Sequence, residues 1–374
     1  MALEADLAWV RAHTPLMRRA AERLAGEDWR GQVLCLVIHL DLKMVPVVEA
    51  LLRTGAEVLV LGANPATTRD EVVTRLAAAG AQAQAAAGMD EAARLAAADW
   101  AISRRPAFLC EMGGEVTVRL IRTRPDVASG VHAGMEATGT GLRRLAEIDL
   151  PFPVFDWDRL PLKQGLHNRH LVGLMVWNTF LNVTGLSLHG RRVLVLGFGP
   201  VGRGIADYAH RLGAVVAVVD PDPRRQVEAR HQGCLVASLE EALPQAEVVV
   251  TATGREGVLG PPHFGLLAPG AILLNAGHSS GEMDVATLRR FPTAPVRPHI
   301  EAVDLEGGRR VYLLAGGAMI NLAAGPGDPF DAFDLTAALM LEGVRFMVHH
   351  HRDFPPGVHL FPAQVEQAVV TNLE

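Results

Sequence analysis

The stretch "VLVLGFGPVGRG", residues 193–204, decides the fold. An apolar run stops at Gly197, and Gly199 and Gly202 complete the spacing G-x-G-x-x-G. Working outward, "RRVLVLG" reads as a strand, "PVGRGIADYAHRLGA" as a helix starting at the loop, and "VVAVVD" as the next strand, ending in Asp220. Strand, glycine turn, helix, strand and acid, in that order, are the fingerprint of a dinucleotide-binding unit. Gly197 serves the tight turn, Gly199 lets the backbone approach a pyrophosphate, and Gly202 lets helix and strand pack closely. Val201 lies in the same loop and joins the cofactor-binding set. The helix N-terminus offers unpaired N–H groups and a positive dipole end to the phosphates. Asp220 is placed to bond a ribose 2′-hydroxyl, which favours NAD over NADP, although Arg224 and Arg225 stand nearby.

The same rhythm extends in both directions. Downstream, "VVVTATG" and "AILLNAGH" read as later strands of this sheet, with Thr251, Asn275 and His278 at the ends that face a cofactor crevice. Upstream, "QVLCLVIHL", "AEVLVLGA", "AQAQAA" and "PAFLCEMGG" read as strands separated by helices over "KMVPVVEALLRTG", "NPATTRDEVVTRLAAAG" and "DEAARLAAADW". Asn64 is the expected N-cap of the second of these helices, with Pro65 at its first position. Residues 151–168, with three prolines, read either as a linker or as an active-site segment. A long helix over "HLVGLMVWNTFLNVTG" follows, and the tail from 332 reads as one helix with a proline-rich end. The expected fold is α/β, two doubly wound parallel-sheet domains joined by the long helix. Residues 1–168 with 333–374 form a substrate and catalytic domain, and 169–332 a Rossmann NAD-binding domain.

Composition removes several classes of function. A net charge of -6 over 374 residues gives no electrostatic case for nucleic acid. No apolar run is long enough to span a bilayer. The N-terminus reads as an amphipathic helix rather than an export signal. Cys35, Cys110 and Cys234 are odd in number and far apart, as buried thiols of a reducing compartment would be, so a cytoplasmic location is expected. The adjacent histidines of "VHHHRD" point in different directions along a helix, and no metal site is expected.

The glycine loop, followed by "VVTATG", "NAGHSSGEMD" and "LLAGGAMINLAAG", resembles the S-adenosylhomocysteine hydrolase family. "DLAW", "IHL", "GAEVLVLGANPATTRDEV", "MGGEVT", "EATGTG" and "LKQGLHN" fall in that family's order at about its spacings, so the resemblance spans nearly the whole chain. It implies a tightly held NAD used as a temporary oxidant. A ribose 3′-hydroxyl becomes a ketone, the neighbouring C4′ proton is acidified, the 5′ thiol is eliminated, water adds, and the hydride returns.

By resemblance, His39 acts at the 5′ leaving group, Lys163 helps ionise the 3′-hydroxyl, and Asn168 lies near the nicotinamide. His278 and Asn321 belong to the cofactor crevice, and Thr138 and Thr140 contact NAD with Gly139 between them. Several positions depart from the family's pattern. Its candidate base, an aspartate, is Met112, with Glu111 the nearest acid and a candidate replacement. Its ribose-gripping glutamate is Ala137. The aspartate paired with the lysine is His167, a candidate proton relay. The threonine of its His-Met-Thr run is Asp41, and a late histidine is Asp328. The family's tail, with a lysine and a tyrosine for a neighbouring subunit's NAD pocket, has no counterpart before Glu374. The expectation is an NAD-dependent hydrolase acting on a nucleoside thioether other than S-adenosylhomocysteine, assembled as a homo-oligomer, dimer or tetramer. A dehydrogenase with net cofactor turnover and a non-catalytic NAD-binding regulator are the alternatives.

Overall fold

Strands such as "VLCLVI" carry no polar alternation, so they are stable only with both faces covered. The computed structural model describes residues 2–278 and 280–371. Its strands in chain order are β1 (Val33–Ile38), β2 (Glu57–Gly62), β3 (Gln82–Gln84), β4 (Phe108–Glu111), β5 (Ala133–Glu136), β6 (Pro153–Asp156), β7 (Arg192–Leu196) and β8 (Val215–Val219). They continue as β9 (Leu235–Val236), β10 (Val248–Thr251), β11 (Ile272–Asn275), β12 (Thr293–Arg297), β13 (Ile300–Leu305), β14 (Arg309–Leu314) and β15 (Gly357–Leu360). The chain divides into two units, Met1–Lys163 with Pro329–Glu374, and Gln164–Asp328.

The first unit holds a seven-stranded sheet in the order β15-β6-β5-β4-β1-β2-β3, parallel at every pairing. The winding reverses between β1 and β4, so the crevice beyond their carboxyl ends is the expected ligand position. One apolar layer packs Leu34, Leu36 and Ile38 of β1 against the helices Met44–Leu52 and Phe330–His350. The other covers Cys35 and Val37 with the helix Glu91–Ser103. The helix Pro15–Leu24 has no cap from Thr14. Asp334, far away in sequence, accepts the Leu16 and Met17 N–H groups at 2.8 and 2.7 Å instead.

The second unit holds an eight-stranded sheet, β12-β13-β14-β11-β10-β7-β8-β9. It is parallel from β14 to β9 and antiparallel at β12-β13-β14, a closing meander beyond the doubly wound pattern. The helices Val172–Thr184 and Pro200–Arg211 approach through glycines: a Cβ on Gly173 would sit 2.5 Å from the Gly204 carbonyl carbon.

Three readings of the sequence change. Residues 151–168 are no linker: they form β6 and the start of a π-helical segment, Lys163–Leu171. The tail is not one helix, since β15 pairs with β6 and a helix Ala363–Val370 follows. The helix expected from Asn64 starts as a short 3-10 turn, Pro65–Thr67, capped by Asn64 through the Ala66 N–H at 2.9 Å, and the α-helix begins at Asp70.

Candidate active site

In the first unit the switch between β1 and β4 is flanked by His39 and Met112. The His39 Nδ1 lies 2.7 Å from the Thr67 hydroxyl. That hydroxyl donates to the Asn64 carbonyl at 2.9 Å, so Nδ1 carries a proton and donates, and Nε2 is the ring's basic nitrogen. Burial, and then the Lys43 charge, pull the imidazole down to about 4, so His39 is neutral near pH 7.

Two residues on, Asp41 pairs with Lys43, Oδ2 to Nζ at 2.8 Å, with the lysine side chain 2% exposed. The ammonium also lies over the Phe333 and Phe330 rings, 5.5 and 5.9 Å from their centroids. Sequence reasoning passed over Lys43; its signal was a charge between "HLDL" and "MVPVV", where a helix's apolar face begins.

Glu111, Glu136 and Asp156 end three neighbouring strands in matched register, Glu111 beside Glu136 and Glu136 beside Asp156. Burial raises all three, Glu111 to about 7 and Glu136 to about 8. Glu111, the candidate replacement base, has its carboxylate engaged locally. Its oxygens accept the Val116 and Thr117 N–H groups at 2.9 and 2.8 Å, and the Thr117 hydroxyl, so it caps the helix Glu115–Thr123. Glu136, unremarked in the sequence, accepts the Gly113 N–H at 2.9 Å and the Thr138 N–H and hydroxyl at 2.8 and 2.6 Å. Its Oε2 is buried with no hydrogen-bond partner among the described residues.

Met112 packs its thioether against the core. Ala137 offers no side-chain polar group; its carbonyl accepts the Lys163 ammonium at 2.9 Å. Lys163 also pairs with Asp158 at 3.0 Å and is buried. Thr138 caps the helix Gly139–Leu145, its oxygen accepting the Gly141 N–H at 2.9 Å, so its hydroxyl is committed locally. Thr140 is buried on that helix's first turn.

In the second unit the glycine loop has the geometry its spacing demands. Gly197 has φ +96°, and a Cβ there would meet the Ala252 carbonyl oxygen at 2.8 Å. A Cβ on Gly202 would sit 1.9 Å from the Gly197 oxygen. At Gly199 a Cβ would meet nothing within 4 Å, leaving the space in front of the helix Pro200–Arg211 open. Val201 stands on that helix's first turn. Asp220, at the end of β8, accepts the Phe198 and Asp222 N–H groups at 2.6 and 2.9 Å and the Arg225 guanidinium at 3.3 Å. It therefore orders the loop as well as ending the strand.

Thr251 and Asn275 are fully buried and bonded to each other at 2.9 Å. Asn275 also accepts the Gly277 N–H at 2.9 Å and donates to the Gly317 carbonyl at 3.1 Å. These two residues hold the turn that leads to His278. Buried Glu282, missed in the sequence, braces the facing loop by accepting the Thr253 and Gly254 N–H groups at 2.8 and 2.7 Å. Asn321 is buried with its Oδ1 unpartnered among the described residues. Asn168 is buried on the π-helical segment. His167 faces Asp328, Nε2 to Oδ2 at 3.4 Å.

An open approach at Gly199 in front of a helix N-terminus, and an orphaned carboxamide oxygen at Asn321, fit the pyrophosphate and the carboxamide of NAD. Residues 176–327 match the family model described as "S-adenosyl-L-homocysteine hydrolase, NAD binding domain". The adenosylhomocysteinase of Thermotoga maritima is 34% identical over 98% of this chain and 92% of its own length. The S-inosyl-L-homocysteine hydrolase of Methanopyrus kandleri is 32% identical over 96% and 87%. The adenosylhomocysteinase of Thermococcus kodakarensis is 31% identical over 98% and 89%. With a glycine loop built for NAD and this likeness along nearly its whole length, the chain belongs to the NAD-dependent S-adenosyl-L-homocysteine hydrolase family.

Proposed function

We propose that this enzyme hydrolyses a nucleoside thioether of homocysteine whose base is a 6-oxopurine rather than adenine. The observation that carries this reading is the buried Asp41–Lys43 pair, two residues past His39 at the end of β1. The Watson–Crick edge of adenine sets a ring acceptor beside an amino donor. A 6-oxopurine sets a ring N–H donor beside a carbonyl acceptor. A carboxylate next to an ammonium, an acceptor next to a donor, complements the second edge when the carboxylate meets the ring N–H and the ammonium meets the 6-carbonyl. The relative from Methanopyrus kandleri carries a name of that substrate class.

NAD would be held by Gly197, Gly199, Val201, Gly202, Asp220 and Asn321, with Asn168 and His278 toward the nicotinamide, and supplies a reversible hydride acceptor. The first unit would carry the substrate. Lys163, held by Ala137 and Asp158, keeps a cationic donor for a substrate hydroxyl. His39, neutral with Nε2 as its basic atom, would accept a proton from the water that adds once the thiol has left. Met112 cannot take a proton, and Glu136, pushed up to about 8, keeps one at neutral pH. The apolar edge strand β15, with Val358 and Leu360 exposed, supports assembly of the chain as a homo-oligomer. Three buried cysteines support a reducing, cytoplasmic setting. Among the described residues no helix is long and apolar enough to cross a membrane.

The test is thiol release by the NAD-loaded protein from S-inosyl- and S-adenosylhomocysteine. The expected result is a kcat/KM at least about tenfold higher for the inosyl compound, a preference that Lys43→Met removes. A preference for the adenosyl compound, or release of reduced cofactor without thiol, would overturn the reading; the second outcome is dehydrogenase behaviour.

A further inference from the structure

Gly204 lies just past the first turn of the helix Pro200–Arg211, and a Cβ there would sit 1.5 Å from the Arg169 carbonyl oxygen. Only glycine leaves room for a second backbone at that distance. The contact is anchored further along, where the Trp177 indole N–H donates to the Ile205 carbonyl at 2.8 Å. The end of the π-helical segment Lys163–Leu171, which carries Arg169, is therefore fixed against the helix that follows the glycine loop. Position 204 shares a helix face with positions 200 and 201, so this face runs forward to the first turn. From Gly199 to Gly204 the helix rises about 7.5 Å, a span that an extended arginine side chain covers.

Arg169 is half-buried. Its Nε is buried without a hydrogen-bond partner, and its guanidinium makes no ion pair among the described residues. Two other arginines close to the loop in sequence are matched by carboxylates: Arg203 by Glu228 at 2.5 Å, and Arg225 by Asp220 at 3.3 Å. A guanidinium drawn out of water with no acid beside it is destabilising, and a site that keeps one is completed by a ligand's anion. The helix N-terminus alone offers about half an elementary charge, which leaves a doubly charged pyrophosphate largely unbalanced.

We propose that Arg169 binds the pyrophosphate of NAD and supplies the cationic part of the cofactor cradle. The loop and helix N–H groups meet the phosphate oxygens from one side. The planar guanidinium adds paired N–H donors and a full positive charge from the other. Arg169 follows Asn168 directly, so one short segment serves both the nicotinamide and the phosphates. This inference does not depend on which purine the substrate carries. It rests on NAD lying at the glycine loop, which Gly199→Ala tests separately.

The experiment uses the full chain stripped of NAD. Wild type, Arg169→Met and Arg169→Lys are titrated calorimetrically with NAD and with ADP-ribose, which keeps the pyrophosphate and lacks the nicotinamide. Arg169→Met should weaken both ligands by the same factor, about 10- to 100-fold, as the loss of a charged hydrogen-bonding partner does. Arg169→Lys, which keeps the charge but not the fork, should recover part of that loss for both. Thermal melts supply a second readout. Without NAD, Arg169→Met should melt at or above the wild type, because it removes a charge that has no partner, while its gain on adding NAD should shrink. Wild-type affinity in Arg169→Met would overturn the proposal. A loss confined to NAD would also overturn it, since it would put the arginine at the nicotinamide end. A lower melt of NAD-free Arg169→Met, with equal affinities in Arg169→Met and Arg169→Lys, would show a structural role and overturn it as well.

Discussion

Two glycines of one loop should respond to the same substitution in opposite ways. In Gly202→Ala the new Cβ would lie 1.9 Å from the Gly197 carbonyl oxygen, where real contacts stay beyond 3.0 Å, so helix and strand must part by about 1 Å. Overpacking of this kind is destabilising by about 1–3 kcal/mol, and it outweighs the helix propensity that alanine adds, at most about 1 kcal/mol. For a folding unit of this size the melting temperature of NAD-free protein should fall by roughly 2–12 °C. In Gly199→Ala the φ of -72° suits alanine, and the Cβ meets nothing within 4 Å. The NAD-free protein should melt as the wild type does. The methyl group, however, stands where a pyrophosphate must approach, so NAD binding should weaken by about tenfold or more, near 1.4 kcal/mol. Thermal melts of NAD-stripped protein and calorimetric titration with NAD read the two effects separately. Wild-type NAD affinity in Gly199→Ala would refute the placement of the cofactor, and an unchanged melt in Gly202→Ala would refute the packing argument.

Three further outcomes follow from the buried charges. Glu136 is raised from 4.5 to about 8, so the folded state keeps a proton that the unfolded chain releases, and this stabilisation is lost as pH rises from about 4.5 to 8. Glu136→Gln should therefore gain on the wild type in denaturant melts at pH 8 relative to pH 5; an equal gap at both would count against the buried, protonated acid. His39 is lowered from 6.5 to about 4, so its stabilisation is present above pH 6.5 and lost as pH falls through about 4. His39→Asn should lose less stability than the wild type between those values, and parallel curves would refute the shift. Lys43→Met leaves the Asp41 carboxylate without its 2.8 Å partner and should be destabilising by about 3–5 kcal/mol. Adding Asp41→Asn should recover much of that in urea melts, whereas an equally unstable double variant would show that the ion pair is not what was lost.

The nucleotide-binding half was legible because its signals are local. The glycine spacing, the helix after it and Asp220 all lie within 24 residues of Gly197, and each maps onto one backbone feature. Long-range features were not legible. β15 is four residues long and pairs with β6, some 200 residues earlier, so no periodicity in "GVHL" could announce it. The π-helical winding of Lys163–Leu171 lacks a sequence period long enough to read. The row of Glu111, Glu136 and Asp156 exists only through the register of three strands. In the same way, Thr251 and Asn275 were correctly placed at strand ends, yet only the fold reveals that each satisfies the other. Family likeness located His167 and Asp328 as departures, and geometry made them a pair.

The measurement that tests the central claim most directly is an absorbance scan of NAD-loaded protein mixed with S-inosylhomocysteine, in parallel with thiol detection. The account predicts a reduced-nicotinamide band that appears on mixing, stays bound to the protein and is accompanied by continuous thiol release without net loss of NAD. Thiol release with no reduced band at any time, or a band that builds up as free NADH, would contradict it.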